Sequence, residues 1–231
     1  MELLVVISVI AIVAGFAVPA VTTMIKGSQL TQASQMVTDQ IALARQTALS
    51  KNRSVEVRFY KFASSESPGE TPGDPKTGFF RALQVFEILD NGAALPLAPI
   101  QRLPINVIIN EVKLSTILDK GERTRIDKAK LSPADPEIPD PAVGKNYEYV
   151  ALRFLPDGST DLPMTGTTGK EGSSATKGDV WYLTLHGTNL PKTGASAGTS
   201  DGMVTTLPDN YFTLQIDPVT GSTRAYRPNV N

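Results

Sequence analysis

The 231-residue chain is long enough for a membrane anchor plus one domain with a sizeable core. Its 22 basic and 23 acidic residues nearly cancel, so no global field draws it to nucleic acid or acidic lipid. It has no cysteine, which excludes disulfides, thiolate catalysis and cysteine-ligated metals, and its single histidine, His186, excludes any metal site needing two histidines from this chain.

The first predicted element is an apolar run over residues 3–21 in which only Ser8 is polar. As a helix it reaches roughly 28 Å, enough to cross the hydrocarbon of a bilayer. Glu2 is the one charge at its start, and Lys26 is the first basic residue after it. A cleaved secretory signal requires a basic leading region and a shorter apolar stretch, and neither is present. An ordinary signal anchor fits the length but gives Glu2 no role. A carboxylate near lipid depth costs a few kcal/mol, which makes an acid there a functional candidate. The unpaired N–H groups of a helix N-terminus offset part of that cost. Gly15 and Pro19 interrupt the run, and Pro19 predicts a kink because it removes a backbone donor and crowds the preceding turn.

Composition turns polar at Thr22, yet the helical period continues. Leu30, Ala33, Val37, Ile41, Ala44 and Ala48 form one apolar stripe, with Met36 and Leu43 on its flanks and Gln32, Gln35, Gln40 and Gln46 mostly on the wet side. The expectation is one helix ending near Ser50, where Lys51, Asn52 and Arg53 supply polar and basic C-terminal residues. Residues 1–25 are its transmembrane half, 26–52 its amphipathic half, and 53–231 a β-rich globular domain with long loops.

Strands follow in a run. Val55, Val57 and Phe59 alternate with Glu56, Arg58 and Tyr60, predicting a half-buried strand. Residues 64–78 form a turn-rich loop, 80–89 a second strand and 90–92 a turn. Residues 96–104 are expected to be irregular, with any strand confined to an edge. Residues 105–114 supply another strand or two, and 115–146, dominated by charges and prolines, a surface excursion with room for a short helix. Strands at 147–155, 180–185, 211–216 and 223–227 complete the set, the last two joined by a turn at 217–221. Glycine-, serine- and threonine-rich stretches fill much of 163–209. One helix followed by a run of strands indicates α+β, with a mostly antiparallel sheet wrapped on the second half of the helix.

The chain offers little that resembles chemistry. His186 lacks the Gly-x-Ser-x-Gly elbow of a triad and is expected on the surface at a strand end. Asp157 and Asp161 lack the spacing of an EF-hand loop, so an ordinary turn is the better reading. No glycine-rich nucleotide-binding motif occurs. No catalytic residue, cofactor or metal ligand is assigned, and the chain is read as non-enzymatic.

Glu2-Leu-Leu-Val-Val-Ile-Ser-Val-Ile-Ala-Ile12, with Gly15 and Pro19, resembles the N-terminal signature of type IV pilins and type II secretion pseudopilins. Ala44-Arg-Gln-Thr-Ala-Leu-Ser-Lys-Asn-Arg-Ser-Val-Glu-Val57 is similar to the helix-to-strand junction of H-type minor pseudopilins and FimT-type minor pilins. Gln215-Ile-Asp-Pro-Val-Thr-Gly-Ser-Thr-Arg-Ala-Tyr-Arg-Pro228 resembles the C-terminal hairpin of the same group, especially a subgroup from Verrucomicrobial secretion-like cassettes. The likeness covers residues 2–60 and 147 onward and is absent between about 61 and 146. The family carries a basic leader ending in glycine, then usually Phe-Thr-Leu and one more apolar residue, before the glutamate. Met1 stands directly before Glu2 here, so the sequence is expected to start at an internal methionine or to have been trimmed.

The resemblance implies a pilin fold and a minor pseudopilin in the bacterial inner membrane, with its β domain in the periplasm and prepilin N-terminal methylation. It implies that Glu2 pairs with the N-terminal ammonium of a neighbouring subunit. The stretch around Gly15 and Pro19 would loosen as subunits move from membrane to filament. Partners would be other pilins or pseudopilins, with an assembly platform and ATPase supplied by other chains. One alternative is a type IV pilus minor pilin in adhesion or DNA uptake. In such proteins basic residues near the C-terminus contact phosphates, and Arg224 and Arg227 flanking Tyr226 would be the matching pair, although a cluster of two makes nucleic-acid contact weak. A membrane-tethered periplasmic binding or enzymatic domain is the third reading.

Overall fold

The computed structural model describes residues 2–67, 70–71, 73–111, 115–118, 125–126, 128–140, 143–162, 181–188 and 210–228. Within the N-terminal helix, the side chains of residues 2–4, 11 and 13–23 lie outside that description. Helix α1 runs without a break over Glu2–Lys51, 50 residues. Its stripe of Leu30, Ala33, Val37, Ile41, Ala44 and Ala48 is 0–3% exposed and forms one wall of the main core. Each large side chain on it contributes about 1.5–3 kcal/mol by leaving water. Leu43, on the flank, is 39% exposed.

The helix stops by backbone geometry. Asn52 adopts φ 51°, and the Arg53 N–H donates to the Ala48 carbonyl at 3.3 Å, the bond that closes a Schellman-type end. Asparagine tolerates this left-handed position better than most residues. Lys51 and Arg53 both pair with Glu87, and Arg53 also reaches Asp90. The basic end of the helix is thereby clamped to the second strand, and those two cations hold the Glu87 carboxyl below the usual range.

The described strands form one antiparallel sheet in the order β10-β9-β8-β5-β2-β1-β7-β6, with β3 and β4 also on β2. They are β1 Val55–Phe62, β2 Phe79–Ile88, β3 Ala94–Pro96, β4 Gln101–Arg102, β5 Val107–Ile109, β6 Arg125–Ile126, β7 Glu148–Phe154, β8 Trp181–Gly187, β9 Tyr211–Ile216 and β10 Thr223–Tyr226. The proline-rich 96–104 stretch gives β2 only two short partners, which fits its poverty of backbone donors. Helix α1 covers one face of the sheet. Val55, Val57 and Phe59 of β1, Leu152 and Phe154 of β7, Leu183 and Leu185 of β8, and Leu214 and Ile216 of β9 all point to that face.

Strand β1 is not half-buried; every residue of Val55–Phe62 is buried. Alternation identifies the helix-facing side correctly, but a second layer covers the other side. Ile138, Val143 and Tyr147 pack there on Tyr60, Phe62, Ala82 and Phe86, and the Tyr147 hydroxyl donates to the Pro136 carbonyl at 2.6 Å. The Tyr60 and Tyr147 rings meet edge-on at 5.0 Å, and burial pushes both phenols above the ordinary tyrosine range. The covering segment also comes from 115–146, so that stretch is not wholly a surface excursion. Ile117 and Leu118 reach the main core. The hydroxyls of Ser115 and Thr116 accept from the backbone N–H groups of Thr184 and Tyr182, standing in for a neighbouring strand. The glycine- and serine-rich stretches expected as loops at 163–180 and 189–209 lie outside the described residues.

Close approach of segments fixes two glycines. A β-carbon on Gly78 would sit 2.1 Å from the Phe62 carbonyl carbon. One on Gly221, at φ +64°, would sit 2.2 Å from the Gly158 carbonyl oxygen. The second contact locks the 156–158 and 217–221 turns together beside the end of α1, where Leu49 packs over Gly158.

Candidate functional site

At its described positions the first half of α1 packs against nothing. Val5, Val6, Ile7, Val9, Ile10 and Ile12 are 54–62% exposed, and Met24 and Ile25 still more than half. Valine and isoleucine are indifferent helix formers, so nothing local explains an apolar helix held out in this way. In the second half the stripe from Leu30 to Ala48 is buried, with Leu43 and Leu49 left exposed on its flanks; at the described positions of the first half, apolar residues lie on every side. Exposed apolar surface of this extent marks an interaction surface. Among the described residues, no helix is long and apolar enough to cross a membrane. Most side chains of the 3–21 run fall outside the described set.

Among the described residues, four polar ties hold the rest of the helix on the domain. Asn106 Nδ2 donates to Gln29 Oε1 at 3.1 Å and Arg227 to Thr31 Oγ1 at 3.3 Å. Arg45 Nε donates to the Thr220 carbonyl at 2.8 Å, and Lys51 pairs with Glu87. The helix is therefore gripped from residue 29 to its end, and the described apolar side chains before that point are exposed.

Glu2, Gly15 and Pro19 lie on this helix, and its backbone is helical at all three positions. Their side chains lie outside the described residues, and so do the ammonium pairing expected at Glu2 and the bend expected at Pro19. Arg224 and Arg227 are both exposed but do not form one patch. The register pairs Arg224 with Gln215 and Tyr226 with Thr213, on the face away from the helix, whereas Ala225 pairs with buried Leu214. Arg227 follows the inner parity and turns to Thr31 and Asn210. Tyr226 donates to Gln215 Oε1, so it and Arg224 stand without the second arginine that phosphate contact would need.

His186 is not at the surface. It is 1% exposed, between Asn110 Nδ2 at 2.8 Å and the Gly187 carbonyl at 2.8 Å. Burial lowers its pKa. β5, pairing beside β8 and leading directly to Asn110, covers what the sequence reads as a free strand end. Asp157 accepts from the Ser159 N–H and hydroxyl, and Asp161 from the Arg153 N–H. Those carboxylate oxygens hold turn geometry, and among the described residues no group of acids and histidine is placed to hold a metal.

Sequence reading missed a buried charge cluster on the outer face of the sheet. Arg58 Nε donates to Glu56 Oε1 at 2.6 Å and its Nη1 to Asp135 Oδ1 at 2.9 Å, while Arg153 reaches the other Glu56 oxygen at 3.0 Å. The Arg58 guanidinium lies 4.3 Å from the Phe86 ring centre and 4.7 Å from that of Tyr149. Burial works against the charged guanidinium, but Glu56 outweighs it and the Arg58 pKa is raised. A lone Glu-x-Arg on the polar side of a strand carries no signal of this; only the covering layer reveals it. The Arg58–Asp135 bond ties residue 135 to the sheet.

No family model matches the chain, and no curated protein matches it. Two crystal structures of the type IV minor pilin FimU from Pseudomonas aeruginosa are similar to it at 13% identity and a TM-score of 0.37. Both alignments cover 87% of this chain, and they cover 94% and 98% of the two FimU chains. Identity and score at this level identify neither family nor function.

Proposed function

We propose that the chain is a non-enzymatic structural subunit of a pilin-like filament, specifically an H-type minor pseudopilin of a type II secretion-like system. The apolar half of α1 is stored in the inner membrane, the β domain stands in the periplasm, and assembly transfers the helix into a bundle with the helices of other subunits. The observation that carries this reading is the single uninterrupted helix, bare and apolar at one end and built into a core at the other. A purely lipid anchor requires no stiff continuation into the domain, whereas a filament subunit needs the rod to position the domain. Lipid removes the hydrophobic driving force between helices, so association there rests on close packing, for which Ala11, Ala14, Gly15 and Ala17 supply small residues.

Glu2 at the helix start is the proposed register-setting charge. Glu2→Ala is expected to leave membrane insertion intact and to reduce co-purification with filaments at least tenfold. Normal incorporation of the variant removes that role. Prepilin processing is tested separately by sequencing the N-terminus of the intact protein, where a methylated residue is expected. The charges of the cluster around Arg58 pair with one another across the sheet and its covering layer, which supports a structural reading of it.

A further inference from the structure

We propose that α1 carries a built-in hinge at Gly27-Ser28, immediately outside the grip of the domain. The structure offers no packing reason for Gly27. A β-carbon there meets nothing within 4 Å, and its φ is not in the left-handed region. Gly78 and Gly221, by contrast, are required by contacts near 2 Å. A glycine inside a helix weakens it relative to alanine, and Gly/Ser pairs are among the few causes of sharp helix kinks.

The residues that follow weaken the same stretch. Thr31 Oγ1 donates back to the Gly27 carbonyl at 3.1 Å, Ser34 Oγ to the Thr31 carbonyl at 2.7 Å, and Thr38 Oγ1 to the Ser34 carbonyl at 2.8 Å. Each hydroxyl competes for a carbonyl that the helix ladder also uses, an arrangement that loosens and bends helices. Position completes the case. Leu30 is the first buried residue of the stripe, and the outermost domain ties are at Gln29 and Thr31. Met24, Ile25 and Lys26 are exposed. The softest turn therefore coincides with the last point of lateral support, where a small change in backbone angle swings the whole apolar half. The hinge as a local property stands by itself. Its use, to reorient the domain while the helix passes from lipid into a bundle, rests on the proposed function.

The absence of cysteine makes the test direct. Spin labels at Ile12→Cys and Ala134→Cys report the distance from the bare half to the outer face of the sheet, in the full chain in detergent micelles, by pulsed electron resonance. Labels at Ile12→Cys and Ile25→Cys report Gly15 and Pro19 alone. The parent is expected to give a broad or bimodal distribution for the first pair, and Gly27→Ala to lower the bent population roughly fivefold. The control pair is expected to be unchanged, with helix content by circular dichroism no lower than in the parent. A single narrow distance in the parent, or a distribution that Gly27→Ala leaves unaltered, overturns the hinge. So does a change confined to the control pair. Filament incorporation does not enter the readout, so failure here leaves the assembly reading standing, and failure of assembly leaves the hinge standing.

Discussion

Arg58 shows what a single residue does in this fold. Its charge is taken out of water between two rings and answered by Glu56 and Asp135. Removing one partner of such a set leaves uncompensated buried charge, which is far costlier than the pair is worth. Arg58→Ala is expected to lower the unfolding free energy by about 3–5 kcal/mol in urea titration. The Arg58→Ala, Asp135→Ala double variant is expected to lose less than the sum of the two single losses, because they share the interaction. His186 gives a pH signature. Its folded pKa lies below the unfolded value of about 6.5, so the unfolded chain binds the proton more readily. Stability from this group is present above that pH and lost as pH falls through it. Between pH 7.5 and 5.5 the parent is expected to lose stability, and His186→Gln to flatten that slope. Asp157 and Asp217, whose carboxyls turn hydrogen bonds hold low, titrate further down and do not confuse this window.

At the scale of elements, the helix stripe was fully legible in sequence. Leu30 to Ala48 at steps of three and four must share a face, and that face is buried. Ile41→Ala is expected to cost about 2–5 kcal/mol and Leu43→Ala, two residues on, less than about 1 kcal/mol, both measured by thermal or denaturant unfolding. The strands of the terminal hairpin were legible as well, since Asp217 to Gly221 is a strong turn signal between alternating runs. The second layer was not. Glu56 and Arg58 look like residues for solvent in any window of a few positions, and only long-range packing of Ile138, Val143 and Tyr147 and the bond to Asp135 make them interior. His186 was misplaced for a related reason. A strand end looks free until its neighbour β5, distant in sequence, is laid beside it. Local periodicity reports one face of an element; it does not report what comes back to cover the other.

At the scale of the whole molecule, a two-layered domain grips the rear of a helix whose described front side chains are exposed. Glu2, Gly15 and Pro19 belong to that front, and sequence could point to them because charge and helix-breaking residues conflict with an apolar run. Sequence could not show that Arg224 and Arg227 diverge, because that depends on the register of β9 against β10. The central claim is that the bare half is a surface for sister helices and not only a lipid anchor. Photo-crosslinking residues placed one at a time at Val5, Val6, Ile7, Val9, Ile10 and Ile12, in cells running the complete assembly machinery, test it most directly. The account predicts protein adducts to the N-terminal helices of other subunits, strongest at positions three or four apart and lost when the assembly ATPase is inactivated. Adducts to lipid alone at every position, with the machinery active, would contradict it.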